Sequence, residues 1–347
     1  MRSIYRALTL VTFIYLSMPA LADDYTMPDP LFQSNEPLDV TITAPLTTLI
    51  KERSKDDYLA GVFQYVNADG STVDFDLNIR ARGNFRHETC EFPPIRLNLK
   101  KKQAKGTLFD NQDKLKLVIQ CEKSDRYEQM VLREYLAYRI LNTLSDTSFR
   151  VRLLRVTYVN TEKSGKNNTR FAFLIEHKNR LAARLNRDAI AVERATVAGI
   201  DPELLNLTSI FQYLIGNTDF SPIAGPPGDA CCHNYVLFGS DVDLIMAIPY
   251  DFDQSGLVNA PYAEPNENFR IRNVRQRVYR GRCANNEYIE ASLSRFRDRR
   301  EVIYETVNGQ EGLEPGVRKQ LLSYIDDFYK LINDPRSLER RVIKRCV

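Results

Sequence analysis

Residues 72–84 read "TVDFDLNIRARGN", and apolar and polar side chains alternate along them. Val73, Phe75, Leu77 and Ile79 fall on one face, and the intervening positions carry aspartate, asparagine and arginine. This period of two is typical of a β-strand with one buried face, and Gly83-Asn84 provides a turn at its end. The stretches "PPIRLNLKKK" and "DKLKLVIQ" repeat the pattern, so three antiparallel strands are predicted within residues 59–120.

Helical periodicity begins after these strands. Leu132, Leu136 and Ile140 recur every four residues, which predicts a helix over about 126–144. Two further strands follow, "VRLLRVTYVN" and "TRFAFLIEHK". The second half is mostly helical, with a helix that ends at Gly216, the short strands "NYVLFG" and "DLIMAIPYDFD", and helices at about 286–307 and 315–333.

The first 22 residues are predicted to be a signal peptide. Arg2 and Arg6 give a positive start, an apolar run follows, and Ala20-Leu21-Ala22 resembles a cleavage site. The run is shorter than the roughly 20 apolar residues that span a bilayer, and no later segment of the sequence is apolar enough. We therefore expect an exported protein, periplasmic or extracellular, with no transmembrane segment after cleavage.

The composition is that of a folded globular protein, with 43% hydrophobic and 10% aromatic residues. Two of the 48 basic residues lie in the signal peptide, which leaves 46 against 45 acidic residues. This balance argues against a nucleic-acid partner, which normally requires a strongly basic face. Six cysteines in an exported chain suggest disulfides; we expect Cys90 to pair with Cys121 and the other four to pair in the second half.

Three polar groups of the second half are expected to converge. Asp219 follows a helix end, Asn234 begins a short strand, and Asp251 and Asp253 follow the next strand. A strand pair after a helix brings its ends back toward that helix terminus. Phosphoryl transfer needs such a set, with a carboxylate to orient the nucleophile and an Asn and an Asp to hold magnesium.

The stretch "IPYDFDQSG" at 248–256 also resembles the start of a calcium loop. An EF-hand that begins at Asp251 needs a bidentate glutamate at its twelfth position, and that position is Tyr262. The preceding segment is also a predicted strand rather than a helix. The EF-hand interpretation fails, although another calcium site with oxygen ligands stays open.

Five stretches in order resemble the spore-coat CotH kinase family, a group of secreted, atypical protein-kinase-like proteins. They are "IRARGN", "LKLVIQ…VLREYLAYRIL", "IGNTDF", "HNYVLF" and "IPYDFDQSG", and the resemblance covers about residues 75–330. The chain departs from the family pattern in having "NTD" and "PYD" where "NWD" and "PWD" are common. It also has fourteen residues between Asp219 and Asn234.

The resemblance implies a role for particular residues. Asp219 would be the catalytic aspartate, and Asn234, Asp251 and Asp253 would be metal ligands. Among basic residues Lys116 would contact the phosphates, with Arg82 and Arg96 as competitors, because triphosphate charge needs compensation. The remaining candidates are acidic: Glu128 or Glu134 as the partner of that cation, and Glu176 near the adenine.

Taken together, these observations predict an α+β, two-lobed protein-kinase-like fold, with a β-rich N-terminal lobe and a mainly helical C-terminal lobe. The predicted divisions are a signal peptide (1–22), an N-terminal arm (23–58), the β-rich lobe (59–178) and the helical lobe (179–347). The expected function is transfer of the γ-phosphate of ATP, with Mg²⁺ or Mn²⁺, to a protein or other envelope acceptor. The alternatives are an inactive kinase-like binding protein of the cell envelope and a calcium-stabilised surface module.

Overall fold

The computed structural model describes residues 26–165, 167–240 and 243–347, so the predicted signal peptide lies outside the described residues. The strands are β1 (Leu38–Ala44), β2 (Leu59–Val66), β3 (Thr72–Ala81), β4 (Ile95–Leu99), β5 (Lys114–Val118), β6 (Val151–Asn160), β7 (Asn168–Ile175), β8 (Asp188–Ile190), β9 (Tyr235–Gly239) and β10 (Met246–Pro249).

The helices of the described residues complete the list of elements. The α-helices are α1 (Leu46–Glu52), α2 (Phe85–Thr89), α3 (Lys101–Ala104), α4 (Asp125–Leu144), α5 (Lys178–Arg184), α6 (Pro202–Ile215), α7 (Ile289–Asp298), α8 (Arg300–Asn308), α9 (Pro315–Asn333) and α10 (Pro335–Arg341). Short 3-10 helices span Pro30–Phe32, Val197–Gly199, Cys283–Tyr288 and Ile343–Arg345. No helix among them is long and apolar enough to cross a membrane.

Seven strands close into a barrel in the order β1-β2-β3-β4-β5-β7-β6. Strand β1 is antiparallel to β2 and parallel to β6, and these two pairings close the barrel. The predicted two-lobed protein-kinase-like fold is therefore wrong. A closed seven-stranded mixed barrel plus helices is found in place of the β-rich lobe and the helical lobe.

The physical reason lies in β1. Its sequence, "LDVTITA", alternates like β3, and Leu38, Val40, Ile42 and Ala44 are buried. It stands within the Pro- and acid-rich segment that the sequence suggested as an extended arm. Its parallel partner β6 is more than a hundred residues away, with Ile42 opposite Tyr158, and local periodicity carries no information about such a pairing.

The barrel interior is filled by aromatic and aliphatic side chains. Phe63, Tyr65 and Phe75 from β2 and β3 surround Phe109, with ring centroids 5.1 to 5.6 Å from it. All four are almost fully buried. Because this interior is a packed core, polar residues of β3, β4 and β5 project from the outer surface of the barrel.

Helix α4 joins the barrel to the helical part. Tyr138 packs on Phe173 of β7, with ring centroids 5.7 Å apart, and on Phe252, with centroids 4.6 Å apart. Phe252 also contacts Phe211 of α6. One continuous core therefore runs from the barrel through α4 to α6. Beside it, β8, β9 and β10 form a three-stranded sheet with β9 in the centre.

The six cysteines form three disulfides. Cys90 pairs with Cys121, as predicted, and the second half contains the pairs Cys231–Cys232 and Cys283–Cys346. Disulfides persist in oxidising compartments, so this pairing is compatible with export.

Closure of the barrel by β1 predicts that the buried side chains of this strand contribute to the free energy of unfolding. The variant Ile42→Ala removes a fully buried side chain from the closing strand. We expect it to lower the free energy of unfolding by about 2 to 5 kcal/mol, the usual cost of truncating a buried Ile to Ala. Thr41→Ala, next to it and only partly buried, should cost less than about 1 kcal/mol. Urea denaturation measures both, and equal small losses would contradict a packed closing strand.

Candidate active site

The β9–β10 hairpin places two of the predicted site residues side by side. Tyr235 lies opposite Pro249, and the next backbone contact runs from the Tyr250 N–H to the carbonyl oxygen of Asn234, at 3.0 Å. Asn234 and Asp251 therefore leave the same end of the hairpin. Both have positive φ, 55° and 63°, a conformation that Asn and Asp adopt more readily than most residues.

Asp251 is held from below by helix α4. Its backbone N–H donates a hydrogen bond to Tyr138 Oη at 2.8 Å. The Tyr138 ring is fully buried between Phe173 and Phe252. The left-handed backbone conformation at Asp251 is therefore fixed by the core, while Asp251 itself is exposed at the surface of the site.

Asp219 reaches the same place from the end of α6. Gly216 ends that helix with φ 65°, and the Asp219 N–H then donates to Asn217 Oδ1 at 2.9 Å. Asn234 Nδ2 donates to the backbone oxygen of Asp219 at 2.7 Å and to its Oδ2 at 2.9 Å. Since the Asn234 amide nitrogen is used in this way, its Oδ1 is the atom left to act as a ligand.

His233 also contacts Asp219. Its Nε2 lies 2.6 Å from Asp219 Oδ1. The hydrogen bond with Asp219 raises the pKa of His233 above its usual value. The contact shows that His233 helps to hold the Asp219 carboxylate.

Asp253 adds a second carboxylate beside Asp251. It is 6% exposed, and burial, followed by the negative charge of Asp251, raises its pKa to about 7. Carboxylates that repel one another in this way are stabilised by a nearby cation. We call Asp219, Asp251 and Asp253 the carboxylate cluster.

The donor set of this cluster suits a hard cation. Carboxylate oxygens and the Asn234 amide oxygen are the ligands that Mg²⁺ and Mn²⁺ prefer. Magnesium is commonly held by one or two carboxylates, with phosphate oxygens and water in the remaining positions. In the described part of the chain, no three His, Cys, Asp or Glu side chains are close enough to hold a metal ion. The candidate ligands are therefore two carboxylates, Asp251 and Asp253, with the Asn234 amide oxygen.

A row of cations on the outer surface of the barrel lies next to the carboxylate cluster. Arg80 of β3 is opposite Arg96 of β4, and Arg96 is opposite Lys116 of β5. Arg82 follows two residues after Arg80. We call these four residues the cationic wall. Like charges directly opposite on neighbouring strands are destabilising, so such a row is typical of an anion site.

None of the four cations forms an ion pair with an acidic side chain within 4.0 Å in the described residues. Two of them stack on aromatic rings instead. Lys116 Nζ lies 4.6 Å from the centre of the Tyr250 ring, and the Arg80 guanidinium lies 5.1 Å from that of Tyr58. Tyr250 precedes Asp251, so this contact joins the wall to the carboxylate cluster.

The electrostatics of Lys116 show the same proximity. Burial, followed by the positive charge of Arg82, lowers the pKa of Lys116 to about 8, and the negative charge of Asp251 opposes this change. Burial also lowers the pKa of Arg82, again against the charge of Asp251. The positive charge of the wall is thus not fully balanced by neighbouring negative charge.

The expected glutamate partner of Lys116 is not where the resemblance implies it. Glu134 of α4 lies 3.5 Å from Arg86 of α2, and the two side chains are 3% and 11% exposed. Although burial opposes it, the charges of Tyr262, Glu134 and Asp253 raise the pKa of Arg86. Burial and the charge of Asp253 in turn raise the pKa of Glu134. Arg86, rather than Lys116, is therefore the cation that meets Glu134.

Two other predicted residues, Glu128 and Glu176, form contacts of their own. Glu128 accepts hydrogen bonds from Arg170 at 3.1 Å and from the Phe171 N–H at 2.6 Å. Glu176 is buried in a two-bond contact with Arg184, at 3.1 and 3.2 Å. Glu128 thus ties α4 to β7 and is not paired with Lys116. Glu176 follows Ile175, which lies opposite Lys116 in the barrel, and its place near an adenine stays a prediction.

Several residues of the site were missed from the sequence. Arg86 follows the predicted turn at Gly83-Asn84, and Tyr138 lies in the helix predicted over about 126–144; the sequence suggested no site role for either. Tyr250 directly precedes Asp251, and Tyr262 was considered only as the twelfth position of the rejected calcium loop. A tyrosine within a helical stripe could have been suspected, because its hydroxyl needs a partner when buried.

No protein-family model matches this sequence, and the comparison with curated proteins found no match. The resemblance to the CotH family therefore stays a prediction, and the site is interpreted from its own geometry.

The lowered pKa of Lys116 predicts a pH dependence of stability. Its folded-state pKa of about 8 lies below the ordinary lysine pKa of 10.5. The unfolded chain therefore binds more protons between these values, and the native state gains stability as the pH rises. Lys116→Met removes this dependence. The variant should gain most in free energy of unfolding, relative to the native chain, below pH 8, and the gain should shrink toward pH 10.5.

Urea denaturation at pH 7, 8.5 and 10 measures this difference, and Lys114→Met, exposed on the same strand, is the matched control. A constant difference over that pH range would show that Lys116 is not the titrating group.

The Arg86–Glu134 pair predicts non-additive effects. Arg86→Met leaves the buried Glu134 without its cation, and breaking a buried pair in this way usually costs about 3 to 5 kcal/mol. The double variant Arg86→Met/Glu134→Gln removes the unpaired charge and should recover part of the loss. Denaturation of both variants gives the comparison, and an undiminished loss in the double variant would argue against the pair.

Proposed function

We propose that this protein is an exported, ATP-dependent phosphotransferase of the periplasm or the extracellular space. Its acceptor is a hydroxyl group on a protein or another envelope molecule. The observation that carries the proposal is the convergence of the carboxylate cluster and Asn234 with the cationic wall at one end of the β9–β10 hairpin. The proposal concerns the site alone and involves no kinase-like fold.

The two halves of the site have different proposed roles, one toward the phosphates and the other toward the metal ion. The cationic wall supplies positive charge for a triphosphate. Within it, the charge of Asp251 acts on the pKa of Lys116 and of Arg82. Asn234, Asp251 and Asp253 would hold Mg²⁺ or Mn²⁺. When bound, the ion would neutralise charge on the phosphates as the γ-phosphoryl group transfers.

Asp219 is suited to orient the acceptor. It accepts hydrogen bonds from Asn234 and contacts His233, yet an ionised carboxylate has about four acceptor positions, so a hydroxyl can still donate to it. In the transfer, the acceptor oxygen forms a bond to the γ-phosphorus while the bond to the bridging oxygen breaks. ADP leaves, and Asp219 takes the proton of the hydroxyl.

Loss of Asp251 should abolish transfer. Asp251→Asn keeps the size of the side chain and an amide that tolerates positive φ, but removes the charge that faces the metal and Lys116. We expect transfer of labelled γ-phosphate, to the protein itself or to a generic acceptor, to fall by at least about a hundredfold, as for other strong charge-stabilising groups. Asp188→Asn, at an exposed aspartate of β8, should leave it unchanged.

Ligand binding is tested separately by thermal unfolding. A phosphotransferase site should be stabilised strongly only by ATP together with Mg²⁺ or Mn²⁺, because binding to the native state raises apparent stability. Stabilisation with both ligands but no transfer would favour a nucleotide-binding envelope protein. Stabilisation by Ca²⁺ without nucleotide would favour a calcium-stabilised module, and either result would refute the proposed activity.

A further inference from the structure

Residues 264–282, "EPNENFRIRNVRQRVYRGR", lie between β10 and the 3-10 helix Cys283–Tyr288 and contain six arginines against two glutamates. In the described chain, none of the six forms an ion pair within 4.0 Å. The segment therefore carries an excess of positive charge that is separate from the cationic wall.

This segment is anchored to the loop that carries Asp219. Arg280 Nη1 donates to the backbone oxygens of Thr218 and Phe220, at 2.7 and 2.6 Å. The Arg280 guanidinium stacks between the rings of Phe220 and Phe269, 4.5 and 5.1 Å from their centres. Asn266 Nδ2 adds a hydrogen bond to Thr218 O at 3.1 Å. The arginine-rich segment thus touches the residues on both sides of Asp219.

The arginines differ in what they do. Arg277 is structural: it stacks on Tyr324, 3.7 Å from the ring centre, and donates to the backbone oxygens of Leu214 and Tyr324. Arg270 and Arg272 are exposed, and Arg275 and Arg282 are partly exposed. We call Arg270, Arg272, Arg275, Arg280 and Arg282 the arginine strip.

The positive charge of the strip affects the pKa of a neighbouring arginine, Arg133. Burial, followed by the positive charges of Arg275 and Arg126, lowers the pKa of Arg133 to about 10. Arg133 is itself hydrogen-bonded to the backbone oxygen of Val258, at 3.1 Å. Burial is the larger cause, and the charges of Arg275 and Arg126 add to it against the opposing charge of Glu314.

We infer that the arginine strip binds the acceptor, and that the acceptor is an acidic peptide whose hydroxyl residue is flanked by aspartate or glutamate. The inference rests on the proposed phosphotransferase function, since it assigns the substrate of that same site. Guanidinium groups pair with carboxylates through two parallel hydrogen bonds. Arg270 and Arg272 are free at the surface to form them, while Arg280 fixes the strip beside Asp219.

The experiment compares three peptides of equal length, each with one serine, whose flanking residues are glutamate, glutamine or lysine. Binding is measured by fluorescence anisotropy of labelled peptide without nucleotide, and transfer by incorporation of labelled γ-phosphate. The test variant is Arg270→Glu/Arg272→Glu, and the control is Arg336→Glu/Arg340→Glu, which makes the same charge change at exposed positions of α10.

We expect the native protein to bind the glutamate peptide most tightly and to phosphorylate it with the lowest KM. The test variant should weaken binding and raise KM for that peptide about tenfold, with little change in kcat or in its use of the glutamine peptide, since rim charges act mainly on encounter and affinity. Raised salt should reduce the difference. The control variant should behave like the native protein.

The outcomes separate the two proposals. Arginine-dependent binding of the glutamate peptide without any phosphate transfer would refute the proposed function and retain an acidic partner for the strip. Transfer to all three peptides with equal KM, or preference for the lysine peptide, would overturn the acidic acceptor while retaining the phosphotransferase. Tighter arginine-dependent binding of inorganic polyphosphate than of the glutamate peptide would also overturn it.

Discussion

Pairing of β1 with both β2 and β6 is the constraint on which the remaining structure depends. Every strand of the barrel then has two neighbours, and apolar residues such as Phe75 and Leu77 must point inward. The outer positions of β3, β4 and β5 are left to polar residues, and the register sets Arg80, Arg96 and Lys116 in one row. Closure of the barrel thus decides where the positive charge of the site lies.

Within the cationic wall, and likewise within the carboxylate cluster, neighbouring groups carry charge of the same sign and repel one another. Arg96 stands between Arg80 and Lys116, and Asp253 is buried next to Asp251. Such arrangements cost stability in the free protein and are typical of places built to receive a ligand with complementary charge. A metal ion and a polyphosphate would relieve both conflicts at once, since one supplies positive and the other negative charge.

Much of the local structure follows from the sequence. The alternation in "TVDFDLNIRARGN" predicts β3, and the four-residue repeat of leucines predicts α4. The positions of Asp219, Asn234 and Asp251 at element ends indicated that they could meet, because chain direction reverses in a hairpin. The partner of Lys116 could not be found in this way, since whether Arg86 or Lys116 reaches Glu134 depends on side-chain packing between distant segments.

The topology depended on information of a different kind. "LDVTITA" is short and preceded by prolines and acidic residues, so its strand character is weak evidence alone. No local sequence pattern indicates that this strand pairs in parallel with β6. Family-like motifs near the site could therefore suggest the chemistry while giving the wrong architecture.

The Cys90–Cys121 bond also bears on when the site takes shape. Helix α2, which carries Arg86, is only five residues long and has no buried residue of its own. The disulfide fastens its C-terminal end to the chain just after β5. The bond therefore couples the position of the cation opposite Glu134 to the redox state of Cys90 and Cys121. The geometry of the site and the packing of the barrel interior thus depend on different interactions.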